Sequence, residues 1–133
     1  PMKALKQVAS GGEVSRIMLA LKAVFADADR IPTLVFDEID AGVGGAVARK
    51  VAGKLNGLAK THQVLCITHT PQIAACASAH FNVRKRAAKG RTLTDVLPVD
   101  TEARVREVAR LLDGTLSEVS LEHARELLGQ QKD

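Results

Sequence analysis

Tryptophan and tyrosine are absent from the 133 residues, and phenylalanine occurs only three times. So few aromatic rings cannot make a base-stacking platform for single-stranded nucleic acid. Long apolar runs are missing too: none approaches the roughly 20 residues that a bilayer span requires. The start, PMKALKQ, lacks the apolar stretch and small-residue cleavage site of a secretory signal. The expectation is a cytoplasmic protein with no membrane partner. Cysteine is scarce, with Cys66 and Cys76 set among apolar neighbours and no framework of repeated spacings, so reduced thiols are expected rather than a disulfide.

What is present is a hydrophobic fraction of 46%, enough for a sizeable core in one ordinary domain, and residues 1–133 read as a single domain. The net charge of +4 is local: Arg84, Lys85, Arg86, Lys89 and Arg91 supply five of the nineteen basic residues within one acid-free stretch. Such a cluster can meet nucleic-acid phosphates, and a solvated hairpin tip is the plainer alternative.

Periodicity lays out the elements. Ile17, Leu21, Val24 and Ala28 follow a helical repeat from Glu13 to about Ala28. Thr33 to Phe36 is a short apolar run expected as a strand buried on both faces. Val47, Val51, Leu55 and Leu58 mark a second helix, and Val64 to Thr68 a second buried strand, so strand, helix, strand implies parallel pairing. Thr70 caps a third helix with Pro71 in its first turn, ending near Ala79. Phe81 to Arg86 and Thr92 to Val99 form a hairpin with Gly90 near the turn, and two amphipathic helices follow, about 102 to 113 and 117 to 129.

Two short stretches carry the chemistry. Asp37 and Glu38 follow the first strand directly, where open α/β sheets place their ligands. One acid can hold a metal while its neighbour addresses a water, which suits magnesium-dependent phosphate chemistry; the alternative is a nuclease using the acids of DEID to hold two metals, or a non-enzymatic DNA-binding module using those acids with the 84–91 basic cluster. Ser10-x-x-Glu13 is a capping box, and the glycines between them leave helix N–H groups open to an anion. Gly42-x-Gly44 lacks the third small residue of a dinucleotide loop, its place falling on Val47. Cys66-x-x-His69 and Cys76-x-x-x-His80 have zinc-like spacings but sit in an apolar strand and an alanine-rich helix.

Taken together, Ser10-Gly11-Gly12-Glu13, Leu34-Val35-Phe36-Asp37-Glu38, Asp40 and His69 resemble, in order and spacing, the second half of an ABC-type ATPase head. Signature loop, Walker B strand, D-loop and switch histidine agree over about residues 5 to 85. DEID in place of the DEP of most transporters resembles the DNA-repair and chromosome-structure branch, the SMC-like ATPases. His69 departs from the condensin and cohesin type, and Ala9 stands where the signature commonly has leucine.

The resemblance implies an α/β fold: a partial ABC-type head of the P-loop NTPase kind, with a mainly parallel sheet flanked by helices, a β-hairpin and carboxy-terminal helices, lacking the Walker A half. No G-x-x-x-x-G-K-[ST] loop is present, the nearest approach being Gly53-Lys54 followed by Leu55. Position 1 is proline, and the chain is expected to be a piece of a longer product, completed by an amino-terminal half-head of the same protein.

The resemblance further implies ATP and Mg2+ as cofactors. Asp37 would hold the metal through water, Glu38 would polarise the attacking water, and His69 would contact the γ-phosphate. Ser10, Gly11, Gly12 and Glu13 would serve nucleotide carried by a second head in a head-to-tail dimer, with Asp40 along the same seam. The implied function is ATP hydrolysis in DNA double-strand break repair at the nucleoid, with the chain by itself inactive and the basic hairpin as a candidate DNA contact.

Overall fold

The computed structural model describes residues 9–26, 28, 30–88 and 90–130. Lys89 of the basic cluster and the first residues of the expected signature region lie outside the described residues. Contacts divide the chain into two compact units, Pro1–Cys76 and Ala77–Asp133.

In the first unit, helix α1 (Gly11–Val24) starts at Ser10, whose side chain accepts from the Glu13 N–H while the Glu13 carboxylate receives the Ser10 N–H at 2.8 Å. This is the expected capping box. The helix ends at Val24, earlier than the Ala28 expected from the apolar spacing, with Phe25 as its cap.

Strand β1 (Thr33–Phe36) pairs in parallel with β2 (Gln63–Cys66), Thr33 opposite Gln63 and Phe36 opposite Cys66. Helix α2 (Gly45–Leu58) is the crossover between them. The second strand stops at Cys66, short of the expected Thr68, although the Ile67 N–H still donates to the Phe36 carbonyl at 2.9 Å. Helix α3 (Pro71–Cys76) is one short turn and a half, with Ile73 buried.

Burial corrects one expectation. Leu34 and Phe36 point into a core with Leu19, Ile39, Ala48, Val51, Leu55, Leu58 and Ile73, but Val35 is 63% exposed and Leu65 48%. The sheet is covered on one face only among the described residues. Three consecutive apolar side chains, Leu34 to Phe36, hide the alternation by which a half-covered strand is ordinarily read. The helical stripe of α1 behaves alike: Leu19 is buried, whereas Ile17, Met18, Leu21 and Val24 remain exposed.

In the second unit, β3 (Phe81–Ala88) and β4 (Arg91–Pro98) form the antiparallel hairpin, with Gly90 at positive φ in the turn. Helices α4 (Thr101–Asp113) and α5 (Glu118–Gly129) follow, capped by the side chains of Asp100 and Ser117. They bury Val108, Ala109, Ala124 and Leu127.

Candidate functional site

The site grows from the carboxyl end of β1. Asp37 follows Phe36 directly, and its Oδ1 accepts the Glu38 N–H at 2.8 Å, which turns the chain sharply. Glu38 adopts φ 55°, a left-handed conformation that few non-glycine residues take. Ala41 N–H then donates to the Glu38 carbonyl at 3.0 Å and closes the turn. The two exposed acids are thus held by backbone geometry, not by packing of their own side chains.

Helix α1 brings the glycines to this turn. The Ser15 hydroxyl donates to the Asp37 carbonyl at 2.7 Å, and Arg16 Nη1 donates to the carbonyls of Ile39 and Ala41 at 3.2 and 2.9 Å. Gly11 lies against the Glu38 carboxylate, and Gly12 against the Glu38 carbonyl oxygen, at places where a Cβ would intrude. Ser15 and Arg16 were not among the expected site residues. Their position one turn along α1 from the glycines is the signal that could have found them.

From the other side come the residues after β2. Asp40 is 3% exposed, and its Oδ2 accepts from Thr68 Oγ1 at 2.6 Å, Thr70 Oγ1 at 2.8 Å and the His69 N–H at 3.0 Å. Burial alone would push the Asp40 carboxyl up, but the hydroxyls of Thr68 and Thr70 and the His69 amide together hold it below its ordinary value. Asp40, expected along a nucleotide seam, therefore has a carboxylate oxygen turned inward onto these donors. Thr68 and Thr70, expected only as a strand end and a helix cap, escaped the sequence reading as partners of Asp40 because each lies about thirty positions from it.

Ser10, Gly11 and Gly12, the acids Asp37 and Glu38, and His69 line one cleft of about 440 Å³, with Asp40, Ala41, Ile67 and Thr68 in its floor and walls. Glu13 faces back to Ser10, whose backbone N–H and hydroxyl hold its carboxyl below the usual range. Every expected site residue of this unit except Glu13 thus lines one cleft, and Glu13 is bonded to Ser10, which does.

The cleft's chemistry fits one side of a magnesium–triphosphate site. Asp37 is exposed and has an oxygen beyond the one bonded to Glu38, and magnesium is commonly held by one or two carboxylates with phosphate and water completing its shell. Gly11 and Gly12 open the amino terminus of a fourteen-residue helix toward the cleft, which favours an anion. The described residues contain no group of three or more His, Cys, Asp or Glu able to hold a metal. Neither the zinc spacings nor a protein cage for two nuclease metals is assembled there. Cys66 and Cys76 are free thiols, and burial, with smaller contributions from Asp40, Cys76 and Asp37, pushes the Cys66 thiol up to about 12.

On the hairpin, Arg84, Arg86 and Arg91 fall on one face, since Arg91 is opposite Ala88 and side chains alternate along β3. Arg86 is paired with Asp95 at 2.6 Å; Arg84 donates to the Asn82 side chain and is otherwise exposed.

No protein-family model matches the chain. Curated relatives do. The chain is 53% identical over 124 residues to the DNA repair protein RecN of Deinococcus radiodurans, covering 93% of this chain and 22% of that protein. It is 52% identical over 129 residues to RecN of Treponema pallidum, covering 96% and 22%. With RecN of Bacillus subtilis it shares 44% over 131 residues, covering 98% and 23%. The chain thus spans less than a quarter of the length of these relatives, in their carboxy-terminal portion. Among solved structures, one from work on ATP-driven dimerisation and DNA-stimulated activation of SMC ATPases matches with a TM-score of 0.59 at 23% identity. It covers 83% of this chain and 66% of that one, and the likeness is one of fold.

Proposed function

Because the chain belongs to the RecN family, as a segment of its carboxy-terminal portion, we propose that it is the carboxy-terminal lobe of an ATPase head acting in DNA repair. The observation that carries this reading is the single cleft in which Ser10–Gly12, Asp37, Glu38 and His69 meet. Phosphoryl transfer depends chiefly on positioning and charge stabilisation, so a shell divided between lobes and between heads can be completed by their closure.

In this reading Glu38 orients and polarises the attacking water, and His69 addresses the γ-phosphoryl oxygens. Asp37 would help hold magnesium through water, and the ion, when bound, would supply neutralisation of charge on the phosphate oxygens. Ser10 to Gly12 receive the γ-phosphate of nucleotide carried by a second head, and Glu13 keeps Ser10 in place as the cap. The phosphate loop comes from an amino-terminal lobe of the same protein. The exposed face of Val35 and Leu65 and the apolar stripe of α1 support such a covering lobe. Arg84, Lys85, Arg86, Lys89 and Arg91 are the proposed DNA contacts, and a nucleoid location follows from that role.

The test is ATP turnover by the full-length protein with and without Glu38→Gln. Loss of turnover with retained ATP binding is expected, and unchanged turnover would overturn the assignment. The 133-residue chain by itself is expected to hydrolyse no ATP.

A further inference from the structure

An aspartate that is 3% exposed is costly unless its lone pairs are occupied. Asp40 meets this condition in an uneven way. A single oxygen, Oδ2, receives Thr68 Oγ1, the His69 N–H and Thr70 Oγ1, and His69 Nδ1 lies 3.3 Å from the same atom. Three consecutive residues converge on one oxygen, and only the middle one turns its side chain out, at 80% exposure. Thr68 Oγ1 also accepts the Thr70 N–H at 3.0 Å, so the bracket around His69 is closed on itself. The Asp40 backbone is equally fixed, because Arg16 grips the carbonyls before and after it.

We propose that Asp40 is a positioning residue for His69, setting both the backbone and the ring of the switch histidine at the mouth of the cleft. A carboxylate at Nδ1 keeps a proton on that nitrogen and leaves Nε2, on the far side of the ring, for the cleft. In this proposal Asp40, though it lines the cleft, acts through His69. The inference rests on the reading of the cleft as a phosphoryl-transfer site, and it adds a residue to that site's working parts.

Two measurements on the full-length protein test it. The first is a double-mutant cycle in ATP turnover. Asp40→Asn should lower kcat about tenfold, the lower end of the loss known for partners that orient a metal-bound histidine, and less than about twofold when His69 is already alanine. Equal losses in both backgrounds, or no loss in either, would overturn the proposal. Should Asp40→Asn fail to fold, Thr70→Val keeps the carboxylate and removes one of its donors, and the same dependence on His69 is required of it.

The second measurement is ring-nitrogen NMR with 15N-labelled histidine, the His69 signals being assigned by His69→Gln. The Nδ1-protonated neutral tautomer should dominate in the wild type and be lost in Asp40→Asn or Thr70→Val. An Nε2-protonated ring in the wild type overturns the tie whatever the turnover shows. Turnover that survives Glu38→Gln would instead count against the ATPase reading, and the ring measurement still decides the role of Asp40.

Discussion

Gly12 packs against the backbone of Glu38: a Cβ on Gly12 would stand 2.8 Å from the Glu38 carbonyl oxygen and 2.9 Å from the Ala41 Cβ. The Arg16 guanidinium stands 3.0 Å away as well, but the two nearer atoms, a backbone oxygen and a Cβ, cannot swing aside. Gly12→Ala is therefore expected to cost about 1–3 kcal/mol, the range for forcing a methyl into a filled space. At Gly11 the obstacle is the far end of the Glu38 side chain, which can swing aside. Gly11→Ala should leave thermal stability nearly unchanged while displacing the Glu38 carboxylate and lowering turnover. Equal drops in Tm for the two variants would contradict this division.

The Asp40 tie should appear in the response to acid. Its folded-state value lies below the ordinary 3.8, so its contribution is fully present above that value and disappears as pH falls through the lower folded value. Asp40→Asn should be less stable than wild type near neutrality, and the gap should narrow on acidification below about pH 4. Urea midpoints for both proteins across this range check the sign. A gap that widens toward low pH would be inconsistent with a depressed carboxyl.

Cys66 should resist alkylation. With its thiol pushed up to about 12, it is almost wholly protonated at ordinary pH, and the thiolate is the nucleophile. At pH 8 the native protein should modify at Cys66 at least about 100-fold more slowly than after unfolding in urea. Mass spectrometry of iodoacetamide-treated protein distinguishes the two rates, and comparable rates would mean that the thiol is not buried as described.

The hairpin arginines should contribute unequally to DNA binding. Arg86 is already neutralised by Asp95, whereas Arg84 and Arg91 have no acid paired with them in the described salt bridges. Replacing Arg84 or Arg91 by alanine in the full-length protein should weaken duplex binding and reduce the slope of log K against log salt by about one per lost phosphate contact. Arg86→Ala should change the slope less. A slope untouched by all three substitutions would remove the hairpin from the interface.

Local signals were legible where neighbours in sequence decide them. The capping box at Ser10 and Glu13, strand β1, the parallel partner strand and the turn at Gly90 all follow from residues a few positions apart. The acids at the end of β1 were legible for the same reason. What sequence could not supply was distance across the chain. Nothing in TLVF tells that Val35 faces outward while Leu34 and Phe36 face the core, because all three are apolar. The burial of Asp40 depends on hydroxyls that only the β1–β2 register brings within reach. Likewise, Arg16 looks like an ordinary solvated helix residue until the loop after β1 is folded against it.

Among the described residues, Glu38 is the one non-glycine at positive φ, a conformation costing of order 1–3 kcal/mol for a side-chain-bearing residue. Glycine would sit there at ease. Selection for thermal endurance alone would thus push position 38 toward glycine and toward silence, and only selection that also scores turnover would keep the carboxylate in place.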